Sequence, residues 1–125
     1  MRNAEEELQK SVVRYIRYVY PEVRYCASLG GIRTSFKQAV KAKATGYVKG
    51  FPDLQICVPK QKKGGGGCTW YHGLFLEIKK DKKSYPTKEQ KEWIEYLNKQ
   101  GYYAKVVKGF DECQEVIDDY LNSRL

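Results

Sequence analysis

Histidine and clustered cysteines are scarce in this sequence. It contains one histidine, His72, and four cysteines without a CxxC pair, at positions 26, 57, 68 and 113. A structural zinc site needs several such ligands close together, so this spacing argues against one. The sequence also lacks an apolar stretch of transmembrane length and the apolar segment of a signal peptide. We therefore expect an intracellular, cytoplasmic protein with reduced thiols and no membrane partner.

Acidic residues are also in short supply. Asp and Glu number 15 against 23 Lys and Arg, which gives a net charge of +8 and a pI near 9.3. This excess suits a polyanionic partner such as nucleic acid, because Lys and Arg that neutralise phosphates release condensed counterions. Net charge alone does not separate that role from simple solubility. The 125 residues, 42% of them hydrophobic, predict one folded domain over residues 1–125.

Hydrophobic periodicity and turn residues predict helices and strands in alternation. The segment from Tyr25 to Gly50 is otherwise without a clear pattern, and the glycine-rich stretch Lys60–Gly67 predicts a mobile hairpin loop. The order of elements indicates an α/β sandwich around a central sheet. The predicted helices are Ala4–Tyr20, Phe36–Lys43, Thr87–Gly101 and Asp111–Leu121, and the predicted strands are Leu54–Val58, Trp70–Lys79 and Tyr102–Val107.

One group of charged residues follows the pattern PD-x(n)-ExK. Asp53 begins one predicted strand, and Glu77, Ile78 and Lys79 end the next. If these strands are neighbours, the two carboxylates converge at one edge of the sheet, where they supply hard oxygen ligands for Mg²⁺. The Ile78 carbonyl is a further possible ligand, and strand alternation puts Lys79 beside Glu77. A lysine there can orient a metal-bound water and stabilise charge on a phosphate under attack.

A purely structural interpretation of the same residues also exists. Asp after Pro is common in turns, and Glu-x-Lys on a strand often forms a solvent-facing ion pair. However, Glu77 and Lys79 lie within an apolar strand (LFLEIK), where charges are costly without a purpose. The catalytic interpretation requires no cysteine, histidine or organic cofactor, which agrees with what the sequence lacks.

The sequence segments around these residues resemble the VRR-NUC family of the PD-(D/E)XK nuclease superfamily. The resemblance rests on GFPDLQI, GLFLEIKK and TKEQKEWIEYLNKQGYYAKVV, and extends from EEELQKSVVRYI to the final helix. It implies a restriction-endonuclease-like fold, in which helices flank a central mixed β-sheet. It also implies Mg²⁺- or Mn²⁺-dependent hydrolysis of DNA, with Asp53, Glu77 and Lys79 in the PD…ExK roles. A stand-alone domain of this kind would suit a phage or bacterial protein.

The resemblance adds two candidate site residues. The family has a glutamine at the start of the helix after the ExK strand, where this sequence has Gln90. The alternative is that Gln90 only completes a capping box with Thr87. The family also draws an acidic residue from its first helix, for which Glu5 is the best placed here, at the base of the apolar stripe. Otherwise Glu5 simply complements the helix dipole, as glutamates in a first turn commonly do.

The segment from Gly30 to Lys49 is basic and leads directly to Asp53. It is our candidate for contact with the DNA backbone, although each lysine could equally belong to a solvated face. Stand-alone members of the family resemble junction-resolving enzymes, so we expect a homodimer that acts on four-way (Holliday) junctions. A flap or restriction-type nuclease and a catalytically silent DNA-binding module are the alternatives. The candidate DNA-binding residues are Arg33, Lys37, Lys41, Lys43 and Lys49.

Overall fold

A computed structural model describes residues 4–28, 35–64 and 69–125 of the chain. The described part contains four helices and six strands, among them one four-stranded sheet. This confirms the predicted α/β class with a mixed central sheet flanked by helices. No helix in these three ranges is long and apolar enough to cross a membrane. The elements are α1 (Ala4–Val19), β1 (Tyr25–Ala27), α2 (Phe36–Ala44), β2 (Leu54–Ile56), β3 (Lys60–Gln61), β4 (Trp70–Tyr71), β5 (Leu74–Lys79), α3 (Lys88–Lys99), β6 (Tyr103–Lys108) and α4 (Phe110–Leu121).

The main sheet has the strand order β1-β2-β5-β6. Strand β2 pairs antiparallel with both β1 and β5, whereas β5 and β6 run parallel. A parallel pair needs a crossover connection, which α3 provides. Strands β3 and β4 form a separate antiparallel hairpin. The ends of β5 and β6 therefore lie at the same edge of the sheet, next to the start of β2.

The sheet is covered on both faces because its side chains alternate between them. Helices α1 and α4 cover one face, where Ile16, Leu54, Leu76 and Ile117 are fully buried. Helix α3 covers the other face. There Phe75 and Ala104 of the sheet pack against Leu97 of α3, and Phe51 and Trp93 are partly buried beside them. Every residue of β5 is buried, including Glu77 and Lys79 on the α3 face.

Some predicted boundaries differ from the observed ones. The predicted strand Trp70–Lys79 is two strands, β4 and β5, separated at His72 and Gly73. The His72 backbone N–H donates to the Gly101 carbonyl (2.9 Å), and a Cβ on Gly101 would lie 2.6 Å from the His72 ring. The lone histidine thus packs against the end of α3. The three-residue strand β1 lies within the segment that had no clear pattern.

Candidate metal centre

The two carboxylates of the PD…ExK pattern, Asp53 and Glu77, are opposite each other. Leu54 pairs with Leu76 in the register of β2 and β5, so one step further Asp53 faces Glu77 on the α3 face of the sheet. We call these two residues the carboxylate pair. The Asp53 Oδ2 atom accepts a hydrogen bond from the Ile78 N–H at 2.7 Å, and Glu77 Oε2 lies 3.7 Å from Lys79 Nζ. The predicted convergence of these groups is therefore present in the structure.

Pro52, the proline of the pattern, changes the hydrogen bonding between the start of β2 and the end of β5. One more step along the same register places Pro52 opposite Ile78. Proline has no backbone N–H, so Pro52 cannot donate to the Ile78 carbonyl as a ladder partner would. The Ile78 N–H in turn donates to the Asp53 carboxylate. Pro52 thus leaves the Ile78 carbonyl without its ladder donor, and the role of this oxygen as a metal ligand stays a prediction.

The carboxylate pair lies in a buried environment. Glu77 is only 2% exposed and Lys79 only 8%. Burial and then the negative charge of Asp53 raise the pKa of Glu77 to about 9. Burial also raises the pKa of Asp53, although the hydrogen bond from Ile78 opposes this. Without a cation, the pair therefore retains a proton at neutral pH.

The pair has the features of a divalent-cation site. Within the described residues, Glu77 Oε1 is a buried oxygen with no hydrogen-bond partner. An unsatisfied buried oxygen costs free energy that a bound cation would recover, and a cation would also displace the retained proton. No group of three or more His, Cys, Asp or Glu side chains suitable for a metal occurs in the described ranges. Two carboxylates are nevertheless sufficient for Mg²⁺, which keeps several waters and binds substrate phosphate.

Helix α1 reaches the same edge of the sheet. Glu5 Oε2 accepts a hydrogen bond from the Lys80 N–H at 3.2 Å, directly after the ExK strand. Glu6 and Glu7 instead form ion pairs with Lys10, at 3.7 and 3.3 Å. Glu5 therefore contacts the backbone directly after Lys79, and its role in the site stays a prediction.

Gln9 also contacts the site, although sequence reasoning did not select it as a site residue. Its Nε2 atom donates to the Asp53 carbonyl at 3.5 Å, and the Ser28 N–H donates to the same oxygen at 3.0 Å. The backbone of Asp53 is thus held between α1 and the end of β1. The signal in the sequence was the spacing of four residues between Glu5 and Gln9, which places both on one side of a helix.

Gln90 forms the capping box that the sequence offered as the alternative to a site role. Its Oε1 atom accepts from the Thr87 N–H at 2.8 Å, and its own N–H donates to Thr87 Oγ1 at 3.2 Å. The glutamine therefore stabilises the start of α3. A contact between Gln90 and a phosphate stays a prediction.

The candidate DNA-binding lysines are exposed. Within the part of the chain that the structure describes, none of them contacts the carboxylate pair. Lys37, Lys41 and Lys43 lie on α2, a helix with no buried residue, and Lys49 is exposed four residues before Asp53. The fifth candidate, Arg33, lies outside the described residues.

Comparison with known proteins identifies the family. The model of the VRR-NUC domain matches residues 4–111. One solved structure, described as a VRR-NUC domain protein, is 35% identical over 98% of this chain and 91% of its own, with a TM-score of 0.77. A second, described as a VRR-NUC domain, shares the fold at a TM-score of 0.60 and 21% identity, over 95% of this chain and 99% of its own. No curated protein matches the sequence. A domain match across most of the chain and a close structural relative show that this protein belongs to the VRR-NUC family, whose domain is a nuclease domain of the PD-(D/E)XK type.

Proposed function

We propose that this protein is a metal-dependent, structure-specific DNA endonuclease that acts as a single domain over residues 1–125. The observation that carries the proposal is the buried carboxylate pair, with Lys79 Nζ 3.7 Å from Glu77. Family membership supports the reaction class, and the net charge of +8 supports DNA as the partner.

Each residue of the site has a chemical role in this proposal. Asp53, Glu77 and the Ile78 carbonyl would hold Mg²⁺ or Mn²⁺, and no organic cofactor is required. When bound, the cation would act as a Lewis acid toward the phosphate and would make a nearby water easier to deprotonate. The Lys79 ammonium stabilises the negative charge that develops on the phosphate, in a pocket where little water screens it.

Two further residues support the centre from neighbouring helices. Glu5 accepts a hydrogen bond from a water at the site, which orients that water toward the phosphate. Gln90 contacts a phosphate oxygen at the N-terminus of α3, where the helix dipole favours negative charge.

The proposed substrate depends on how many DNA strands one copy of the protein can cut. One copy holds one carboxylate pair, so symmetric cleavage of two strands needs two copies. A homodimer with twofold symmetry suits a four-way junction, whose arms are themselves related by symmetry. Arg33, Lys37, Lys41, Lys43 and Lys49 then contact the backbone and position the substrate without selecting a base sequence.

A substrate panel tests this function. The purified protein is incubated with a four-way junction, a flap and a linear duplex of matched sequence, in Mg²⁺, in Mn²⁺ and in EDTA. We expect paired cuts in the junction in either metal and none in EDTA, with a dimer mass by light scattering. Preferential cutting of the flap by a monomer would replace the junction proposal with the flap alternative. Binding without cleavage under every condition would identify a silent DNA-binding module.

A further inference from the structure

The last residue of β6, Lys108, lies next to Lys79 of the candidate metal centre. The two residues are partners in the parallel register of β5 and β6, and the Gly109 N–H donates to the Lys79 carbonyl at 3.0 Å. Phe75 and Ala104 are also register partners, and both pack under α3. Since alternate residues share a face, Lys108 lies on the same face as Glu77 and Lys79. Neighbouring strands are about 4.8 Å apart, so the backbone of Lys108 lies about that distance from the backbone of Lys79.

Lys108 is paired with an exposed aromatic ring. Its Nζ atom lies 3.9 Å from the centroid of the Tyr85 ring, a cation–π contact. Tyr85 is nevertheless 71% exposed. An ammonium group covers only one face of a ring, so the opposite face remains accessible to a planar ligand. The contact also restricts the rotation of the tyrosine, which lowers the entropy cost of using the ring for binding.

The turn between β5 and Tyr85 has exposed lysine side chains, and its acidic side chain, Asp81, is hydrogen-bonded within the turn. Asp81 Oδ1 accepts from the Lys83 N–H at 2.9 Å and from Ser84 Oγ at 3.2 Å, so this carboxylate is engaged by the turn's own backbone and side chain. The lysines at positions 80, 82 and 83 are exposed. The acidic side chain of Glu112 lies beside Lys108, and its Oε1 atom accepts a hydrogen bond from the Lys108 backbone N–H at 2.9 Å.

A stacking site, a cation and exposed lysines thus flank the site on the side of β6. Aromatic side chains on a basic surface bind unpaired nucleotides, because every base has a face on which a ring can stack. A base within a duplex is already stacked on both sides and cannot offer that face. An apolar partner would not explain the exposed lysines, and binding to a continuous duplex would not explain the exposed ring.

We propose that Tyr85 and Lys108 form a stacking site for an unpaired base of the DNA substrate, with Lys82 and Lys83 neutralising the adjacent phosphates. The proposal rests on the proposed DNA nuclease function and deepens it. It makes an unpaired nucleotide beside the scissile phosphate part of what the enzyme recognises. A flap carries an unpaired nucleotide, and a four-way junction offers one where a base pair at the branch point opens, so both are preferred over continuous duplex.

The test measures binding without cleavage, using the full chain in EDTA. Fluorescence anisotropy gives the affinity for a labelled single strand and for a duplex of the same sequence. Tyr85→Ala removes the ring, and Tyr85→Phe keeps it. Tyr18→Ala is the matched control because Tyr18 is 89% exposed and lies on α1, 13 residues and thus about 20 Å along the helix from Glu5. Thermal melting checks that all three variants are folded.

We expect Tyr85→Ala to bind the single strand on the order of 5- to 10-fold more weakly, at the lower end of stacking effects. Tyr85→Phe and Tyr18→Ala should bind like the native protein, and duplex affinity should change little in any variant. A strand carrying 5-iodouracil should crosslink to Tyr85. The proposal is overturned if Tyr85→Ala and Tyr18→Ala behave alike, if Tyr85→Phe loses as much as Tyr85→Ala, or if duplex binding falls equally.

The salt dependence separates stacking from charge. Lys82→Met should lower the slope of log affinity against log salt by about 0.7 for a single strand, whereas Tyr85→Ala should leave the slope unchanged. An unchanged slope in Lys82→Met would contradict the role of this lysine in phosphate contact. Because none of these measurements needs a metal or cleavage, failure of the nuclease function would not produce the same result.

Discussion

Replacement of Glu77 by Gln should stabilise the metal-free protein while abolishing its cleavage activity. Glu77 is 2% exposed, and burial with the charge of Asp53 raises its pKa to about 9. Folding then requires the carboxyl group to take up a proton at neutral pH, which costs free energy. Gln has nearly the same shape and no charge, so Glu77→Gln avoids that cost but cannot serve as an anionic metal ligand.

The magnitude follows from linkage between protonation and folding. The unfolded chain releases the proton of this carboxyl near its ordinary pKa of 4.5, whereas the folded protein holds it until about pH 9. Between these values the folded state binds more protons, so the stability of the native protein falls as pH rises. From pH 4.5 to 7 the loss is at most about 3 kcal/mol, at about 1.4 kcal/mol per pH unit.

Denaturant unfolding in EDTA at pH 4, 5, 6 and 7 measures this difference. The variant and the native protein should have equal stability at pH 4, and the variant should gain progressively up to about 3 kcal/mol at pH 7. Glu115→Gln, at an exposed position of α4, is the control and should show no such trend. Saturating Mg²⁺ should stabilise the native protein by about 2.7 kcal/mol at 100 times the dissociation constant, and the variant far less. Equal stabilities of the variant and the native protein at pH 7 in EDTA would refute the account of a desolvated carboxylate.

Two further predictions concern the residues that position the site. Glu5→Gln should slow cleavage by about tenfold with little change in DNA affinity, whereas Glu7→Gln should cleave at the native rate; a single-turnover assay compares them, and equal rates would remove Glu5 from the site. Gly50→Ala should cost on the order of 2 kcal/mol by thermal melting, because Gly50 has a φ of +93° and a Cβ there would lie 2.7 Å from the Glu89 backbone. Gly64→Ala shares the positive φ but meets nothing within 4 Å, and should cost less.

The sequence was sufficient to predict the central elements of the fold. Long periodic segments predicted α1, α3 and α4, and the apolar strand LFLEIK predicted β5. The pairing of Asp53 with Glu77 was predicted only on the condition that their strands are neighbours. That condition is a matter of register, which the structure supplies. Strand β1 escaped prediction because three residues, YCA, carry no alternation, and the strand exists only through its pairing with β2.

Contacts between distant segments were the least predictable part of the site. The hydrogen bond between Glu5 and Lys80 joins residues 75 positions apart, and the hydrogen bond between Gln9 and Asp53 joins residues 44 positions apart. No local pattern encodes such a distance. The contact between Tyr85 and Lys108 has the same character, because it depends on a parallel crossover through α3. By contrast, the capping box at Gln90 is local, and the sequence offered it as one of two interpretations.

Single-turnover cleavage of the preferred branched DNA in Mg²⁺ tests the central claim most directly, by comparing the native protein with Asp53→Ala and Lys79→Ala. We expect each variant to lose at least about 100-fold in rate, as removal of a metal ligand or a charge-stabilising group does, while salt-sensitive DNA binding is retained. Cleavage by either variant at the native rate, or cleavage by the native protein that persists in EDTA, would contradict the account.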